Sequence, residues 1–262
     1  MRSSKTVRVV IAATALGAML AACASPRQQA QQREARAAER TLDRIGTIGD
    51  PGRVAAADFA FARMAREQGQ WTAFREYAAP GALLHGPEGP TFAEPWLREQ
   101  EDPAEAAARA PNTVWSSCDG TLAVSFGRFQ YDGGIVGSYI SAWALQRDGS
   151  YKYTYDLGAP DNPQPVPEPE EDVPDDAIIV PGLRSINGMI ADCPPRGESI
   201  PQPPSLTPDG DTRYQSARSD DGTLSWTWFH TPDHARSVIV QWYRDGEWQE
   251  ALDFTAPPPL PE

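Results

Sequence analysis

The sequence predicts an α+β fold in which N-terminal helices lie against a curved antiparallel sheet, with a second β-meander appended near the C-terminus. Residues 115–160 contain three runs of alternating apolar and polar residues, separated by glycine turns, and this pattern predicts a three-stranded meander. Apolar residues at helical spacing precede them, and residues 213–256 alternate again around two Asp-Gly pairs. Because a lone meander is marginally stable, we expect the helices to cover one of its faces.

The first 22 residues have the layout of a secretory signal. Arg2, Lys5 and Arg8 precede an apolar run that is too short to span a membrane comfortably. The run ends in Leu-Ala-Ala-Cys23, which resembles the lipobox of bacterial lipoproteins. This resemblance implies cleavage before Cys23 and lipidation of its thiol and new amino group; an incidental cysteine behind an ordinary signal is the alternative. Ala24 stands where inner-membrane lipoproteins usually carry aspartate, which favours an outer membrane and a protein facing the periplasm.

The chain is acidic, with a net charge of −13 that becomes more negative once the basic segment 1–22 is removed. Such a surface repels phosphate backbones, so we expect no nucleic-acid partner. Residues 23–49 are rich in Gln, Arg, Ala and Glu and predict a flexible tether. The expected membrane contact is therefore the lipid anchor.

Two cysteines remain when Cys23 is assigned to lipid. In an oxidising compartment Cys118 and Cys193 are expected to form a disulfide, closing a loop of about 75 residues. Sequence spacing does not show that the two Cα atoms approach each other, so two unpaired thiols stay as the alternative. Two cysteines without companion histidines do not make a zinc site, and we expect no metal.

Residues 50–160 hold the predicted helices and the first meander. Asp50-Pro51 is typical of a helix start and Gly69 of a helix end. The elements expected after this first helix are, in order, a short helix over 70–78, a strand over 82–85, an interrupted helix over 94–108 and strands over 121–131, 135–147 and 151–157.

The remainder of the chain divides into a proline-rich acidic insert with possible short strands (161–212), the second meander (213–256) and a proline-rich tail (257–262). The second meander echoes the first. Ser-x-Asp-Gly-Thr-Leu occurs at 117–122 and at 219–224, and the echo extends to Trp143 with Trp242 and Asp156 with Asp253. A duplication and the chance recurrence of Asp-Gly turns both remain open.

Residues 53–160 resemble the nuclear transport factor 2-like superfamily, particularly its SnoaL-like members. The resemblance lies in the long first helix, a second helix leading into WTAFREYAAPGALL, and the motifs DGTLAVSFGRF and QRDGSYKYTYDLGAP. It implies a cone-shaped, bent antiparallel sheet that wraps around the N-terminal helices and leaves a pocket between them. Members of the superfamily include enzymes and plain binding modules, so the motifs specify fold better than activity.

The candidate pocket consists mainly of aromatic residues: Phe61, Met64, Trp71, His85, Trp96, Trp115, Tyr139 and Trp143. The candidate acids or bases are Asp58, His85 and Asp156, although solvent exposure is the simpler expectation for both carboxylates. The catalytic patterns of the superfamily have no matching positions here. The sequence also lacks a G-x-S-x-G elbow, a phosphate-binding loop and an H-E-x-x-H motif, so we expect no cofactor.

Three functions are compatible with these features. The first is a lipid-anchored cell-envelope protein that binds a small apolar molecule or a protein without catalysis. The second is a SnoaL-like isomerase, dehydratase or hydrolase, which requires an ionisable group in the pocket. The third is an envelope assembly factor that uses the acidic insert and the second meander as a surface for a protein partner.

Overall fold

The computed structural model describes residues 48–166, 185–195, 198–208 and 210–257. The segment 1–22, Cys23, nearly all of the tether, most of the acidic part of the insert and the tail residues 258–262 lie outside the described residues. The described part is a mixed α+β fold in which strands dominate. None of its helices is long and apolar enough to cross a membrane.

Three helices and eleven strands make up the described fold. In chain order they are α1 (Pro51–Gln68), α2 (Gln70–Tyr77), β1 (Ala78–Gly86), β2 (Gly89–Phe92), α3 (Ala93–Arg98), β3 (Ala108–Ser116), β4 (Leu122–Gln130), β5 (Val136–Leu145), β6 (Tyr151–Pro160), β7 (Asn187–Ile190), β8 (Arg213–Arg218), β9 (Leu224–His230), β10 (Arg236–Arg244) and β11 (Glu247–Ala256).

The first two helices begin and end where the sequence predicts. The Asp50 side chain accepts hydrogen bonds from the backbone N–H groups of Gly52 and Arg53, at 2.9 and 3.3 Å, which is standard N-capping. Gly69 ends α1 with φ +118°, a conformation that favours glycine.

The prediction of a helix over 94–108 is wrong beyond Arg98, where α3 ends. Asp102 instead caps α2 from a distance, accepting hydrogen bonds from the N–H of Thr72 at 3.1 Å and its hydroxyl at 2.6 Å. This contact holds residues near Pro103 outside a helix, and the chain then enters β3.

A seven-stranded sheet carries the first meander, in the order β2-β1-β6-β5-β4-β3-β7. Strands β4, β5 and β6 are the three antiparallel strands of the predicted meander, and β3, which was not predicted, pairs antiparallel with β4. However, β1 is parallel to β6 and β7 is parallel to β3, so the sheet is mixed and the prediction of a purely antiparallel sheet is wrong. These two parallel strands extend the meander on either side.

The second meander forms its own four-stranded antiparallel sheet, in the order β11-β10-β9-β8, and packs against the seven-stranded sheet. The core between the sheets includes Val124, Ile140, Leu157, Leu224, Trp226 and Val240. The opposite face of the seven-stranded sheet packs against the helices, through Val54, Phe61, Ala65, Val114, Trp143 and Tyr153. The described chain is thus layered as helices, large sheet and small sheet.

The two meanders have the same register. Ser125, Ser141 and Asp156 are cross-strand neighbours in the first, and Thr227, Ile239 and Asp253 are their counterparts in the second. Both also carry a register shift at the matching place. In the first it lies between β5 and β6 at Ala142/Trp143, and in the second between β10 and β11 at Val240/Gln241. This shared irregularity favours duplication, because turn chemistry alone does not repeat a bulge.

The pairing corrects one detail of the echo. Trp143 lies opposite Ala123, whereas Trp242 lies opposite Leu224. The counterpart of Trp143 is therefore Gln241, and the match of Trp143 with Trp242 is wrong by one residue.

The repeated Ser-x-Asp-Gly-Thr-Leu turns contact each other reciprocally. The Asp119 N–H donates to Asp221 Oδ2 at 2.8 Å, and the Asp221 N–H donates to Asp119 Oδ2 at 3.0 Å. The N–H of Cys118 donates to the Thr223 hydroxyl, and the N–H of Asp220 donates to the Thr121 hydroxyl. This is the exchange expected at a local two-fold axis.

The predicted disulfide is confirmed. Cys118 and Cys193 are bonded, and their Cα atoms are 5.1 Å apart. Strand β7 ends three residues before Cys193, and the next residue, Ala191, donates its N–H to the Ser116 carbonyl. The bond therefore fixes the part of the insert around Cys193 beside the first repeated turn.

Candidate functional site

A pocket of about 560 Å³ lies between the helices, the β1–β2 hairpin and the seven-stranded sheet. The helices contribute the rings of Phe61, Trp71, Phe74 and Trp96, and the sheet contributes Phe129, Tyr131 and Tyr139. Two glycines leave room for the rings of the sheet wall. A Cβ on Gly127 would collide with the Tyr139 ring, and a Cβ on Gly137 would collide with the Phe129 ring. The volume and the aromatic walls are typical of a small-molecule site.

Arg109 is the central charge of the polar side of this pocket. Its guanidinium group lies between the rings of Tyr139 and Phe61, at 3.7 and 4.5 Å from their centroids. Its Nη1 donates to Asp156 at 3.2 Å, and its Nη2 donates to the Ser141 hydroxyl at 2.8 Å. Stacking on both faces and hydrogen bonds in the plane fix the orientation of the group.

Asp58, from α1, lies on the other side of Arg109 and is fully buried. One of its oxygens accepts hydrogen bonds from the Ser125 hydroxyl at 2.7 Å and the Tyr139 hydroxyl at 3.0 Å. The other oxygen is 3.3 Å from Arg109 Nε, an ion pair without hydrogen-bond geometry. The indole N–H of Trp143 donates to Ser125 and so supports the arrangement from the core.

A bulge in β6 places Asp156 in the pocket. Tyr151 and Tyr153 face the helices, whereas Tyr155 and Leu157 face the small sheet. Strict alternation would keep all four residues on one face. The register shift between Tyr153 and Tyr155 exchanges the faces, so Asp156 points towards the helices and the pocket.

Asp156 is 8% exposed and has one open oxygen. Its Oδ2 accepts the hydrogen bonds from Arg109 and Ser141. No described residue donates a hydrogen bond to Oδ1. This oxygen keeps some exposure, since it is not one of the fully enclosed polar atoms that lack a partner. Asp156 itself is one of the residues that line the pocket.

Burial raises the pKa of Asp156, against the opposing effects of Arg109 and the Ser141 hydrogen bond, and the negative charge of Asp58 raises it further. Burial and the neighbouring Asp58 charge likewise raise the pKa of the Tyr139 hydroxyl. Tyr139 therefore stays protonated as a donor to Asp58. When both carboxylates are ionised, Asp58, Arg109 and Asp156 together carry one net negative charge.

His85 lies at another part of the pocket wall, at the end of β1. Its Nδ1 is 2.7 Å from the Tyr155 hydroxyl, and its Nε2 is 3.1 Å from Nδ1 of His230. Burial, reinforced by His230 and nearby arginines, lowers the pKa of His85 to about 3. The ring is therefore neutral near neutral pH and joins the two sheets through hydrogen bonds.

The structure brings together five of the eight candidate pocket residues: Phe61, Trp71, His85, Trp96 and Tyr139 line the pocket. The other three lie elsewhere. Met64 packs beside the helical core, Trp143 is fully buried within it, and Trp115 lies between the two sheets. Alternation alone does not reveal which face of a strand meets a cavity.

The expectation that Asp58 and Asp156 face solvent is wrong. Asp58 follows Val54 by four residues and precedes Phe61 by three, so it lies on the buried stripe of α1 itself. The sequence pattern does not single out Arg109, because it predicts a helix for the residues before it. In the structure, β3 places Arg109 beside both carboxylates.

The described residues contain no group of three or more His, Cys, Asp or Glu side chains arranged to hold a metal ion. The pocket also shows no phosphate-binding glycine loop. Its chemistry is that of an aromatic cavity with an ion-paired polar side. Comparison of the sequence with protein-family models and with curated proteins finds no match.

Proposed function

We propose that the protein is a lipid-anchored cell-envelope protein whose helix-and-sheet domain, of the nuclear transport factor 2-like type and conical in shape, binds a small apolar molecule. The observation that carries this proposal is the aromatic pocket of about 560 Å³ with an open carboxylate oxygen at its polar side. Aromatic rings supply most of the binding surface, and a few fixed polar groups orient the ligand.

The organisation of the polar groups supports binding. Arg109 is held by two carboxylates, a serine and two rings, so it need not reorganise when a ligand arrives. A pre-ordered site avoids part of the entropy cost of binding. The second meander closes the far side of the large sheet and leaves the pocket to the helices and the β1–β2 hairpin.

Filling the pocket tests this proposal. Gly158 lines the cavity, and a Cβ added there lies 3.6 Å from the Phe129 ring, an ordinary contact. We expect the neutral naphthalene probe Prodan to bind the wild type with a saturable, blue-shifted fluorescence increase, and Gly158→Leu to abolish that increase. Thr255→Leu is the matched control, because Thr255 holds the equivalent register position in the second meander. Equal binding by Gly158→Leu would overturn the proposal.

The anchor is tested separately by Cys23→Ser in the full-length chain. Two acyl chains hold a protein stably at a bilayer. We expect the wild type to incorporate labelled palmitate and to sediment with membranes, and the variant to do neither. Unchanged sedimentation and labelling of the variant would contradict lipidation at Cys23.

Asp156 favours one alternative, a proton-transferring enzyme of the SnoaL-like kind. A buried carboxylate with a raised pKa and an open oxygen can act as a general base. It would take a proton from the carbon beside a ketone, leave an enolate, and return the proton to that carbon. Deuterium exchange into 2-tetralone, followed by NMR in heavy water, tests this: exchange that depends on Asp156 supports the enzyme, and background exchange excludes it for this substrate class.

A further inference from the structure

We infer that the pocket selects an organic cation, a protonated amine attached to an aromatic or apolar body, and that this amine pairs with Asp156 Oδ1. The inference rests on the proposed binding function and names the chemical class of the ligand. It follows from the charge balance of the pocket, the open oxygen and the aromatic walls.

The charged groups on the polar side of the pocket alternate in sign, in the order Asp58, Arg109 and Asp156. Asp58 is 3.3 Å from Arg109, and Arg109 is 3.2 Å from Asp156. One cation thus serves two buried carboxylates, and a buried charge without a partner is costly. When both carboxylates are ionised, a ligand cation next to Asp156 brings the net charge of these groups to zero.

The geometry leaves a place for that cation on one atom. Oδ2 of Asp156 accepts hydrogen bonds from Arg109 and Ser141, whereas Oδ1 has no donor among the described residues, and Asp156 lines the pocket. Asp156 is more than nine-tenths buried, so a donor that reaches Oδ1 forms a charge-assisted hydrogen bond in a partly desolvated site. A neutral hydroxyl could also donate to it, but without the charge term.

The walls favour a cation over an anion. The faces of aromatic rings attract cations, most strongly when water is excluded, and Arg109 already demonstrates this between Phe61 and Tyr139. An anion would be a third negative group around Arg109. Arg236 contacts the backbone of His85 but does not line the pocket, whereas Glu88 does.

Three naphthalene compounds with the same ring system and different charges test the inference by calorimetry at pH 7. They are 1-naphthylmethylamine (cation), 1-naphthalenemethanol (neutral) and 1-naphthoic acid (anion). We expect the amine to bind wild type about tenfold or more tighter than the alcohol, and the acid to bind weakest. Asp156→Asn should remove the preference for the amine, so that the amine and the alcohol bind this variant with affinities within about threefold of each other. Asp253→Asn, at the equivalent position of the second meander, should change neither affinity.

The possible results separate this inference from the binding function. If amine and alcohol bind wild type equally, or if Asp156→Asn weakens both to the same extent, the inference is overturned while the binding function stands. If no compound binds wild type, both are overturned. Binding of the alcohol to Asp156→Asn also serves as the check that this variant folds, and Gly158→Leu should bind none of the three.

Discussion

The two meanders share strand order, register and a bulge, yet the residues that line the aromatic pocket come from the first meander and not from the second. In the first, the face that carries Asp156 is covered by α1, α2 and α3. In the second, no described helix covers the matching face and Asp253 is exposed, although Thr227 and Gln241 on that face are buried and Trp248 donates a hydrogen bond to the Pro201 carbonyl. The sheet itself is therefore not what makes the site. The helices bury the carboxylate at this strand position in the first meander. The carboxylate at the equivalent position of the second meander is exposed.

The residues around Asp156 in the first meander also differ from those around Asp253 in the second. Ser141, which donates to Asp156, is replaced by Ile239 at the matching position. Arg109 lies in a part of β3 that extends beyond the region matched by β8, which begins at Arg213. The second meander thus has the carboxylate of the first but neither its serine nor its arginine.

The largest expected effect is on the free energy of unfolding, from replacing Arg109, which has no counterpart in the second meander. Arg109→Met leaves two buried carboxylates without a cation beside them, and breaking a buried ion pair in this way costs about 3–5 kcal/mol. Urea unfolding followed by tryptophan fluorescence measures the loss.

Arg218→Met in the second meander is the control, because that side chain is exposed and contacts Gln202. We expect it to change the free energy of unfolding by less than about 0.5 kcal/mol. Equal losses in the two variants would show that the ion cluster contributes nothing special to the first meander.

The disulfide is the next difference between the repeated turns, since Cys118 is bonded and its counterpart Asp220 is not. Cys193→Ser opens a loop defined by a separation of 75 residues, and chain entropy predicts a loss of about 4 kcal/mol, with typical values of about 2–4. Unfolding with and without reductant measures it: reductant should destabilise wild type and leave Cys193→Ser unchanged. A reductant effect of equal size on the variant would refute this assignment.

The sequence predicted local elements well and their assembly less well. Asp50-Pro51 and Gly69 sufficed to place α1, and the Asp-Gly turns sufficed to place the meander, because capping and turn chemistry act within a few residues. Asp102 capping α2 and Arg109 pairing with Asp58 join residues 30 to 51 positions apart, and no local pattern indicates such partners. The face of Asp156 depends on a bulge, which reverses every side chain after it.

The reciprocal turns provide a test of equivalence with a smaller expected effect. Asp119 and Asp221 each accept hydrogen bonds within their own turn and one from the other turn. Hydrogen bonds to a charged acceptor contribute about 1.5–3 kcal/mol, so Asp119→Ala and Asp221→Ala should each cost about 2 kcal/mol. If the turns are equivalent, the two losses agree within about 0.5 kcal/mol. The cost of the double variant should differ from their sum by about 0.5 kcal/mol or more, because the two turns are in direct contact.

The last prediction concerns the pH dependence that burial gives Asp156. Its pKa is raised in the folded protein, so the folded state holds the proton more tightly than the unfolded chain does. Stability therefore falls as pH rises from about 3.9, the ordinary value, through the raised pKa, and is level above it. Arg109, Asp58 and Ser141 face this carboxylate and are unchanged in Asp156→Asn, which removes its titration.

His85 acts in the opposite direction over an overlapping range, because its lowered pKa of about 3 makes stability rise with pH up to about 6.5. The informative quantity is therefore the stability of Asp156→Asn minus that of wild type, measured by urea unfolding from pH 4 to 8. It should increase with pH by at most about 1.4 kcal/mol per pH unit and then level off. Asp253→Asn, at the equivalent exposed position of the second meander, is the control variant in the same measurement. A flat difference for Asp156→Asn would mean that covering the first meander with helices does not alter its carboxylate.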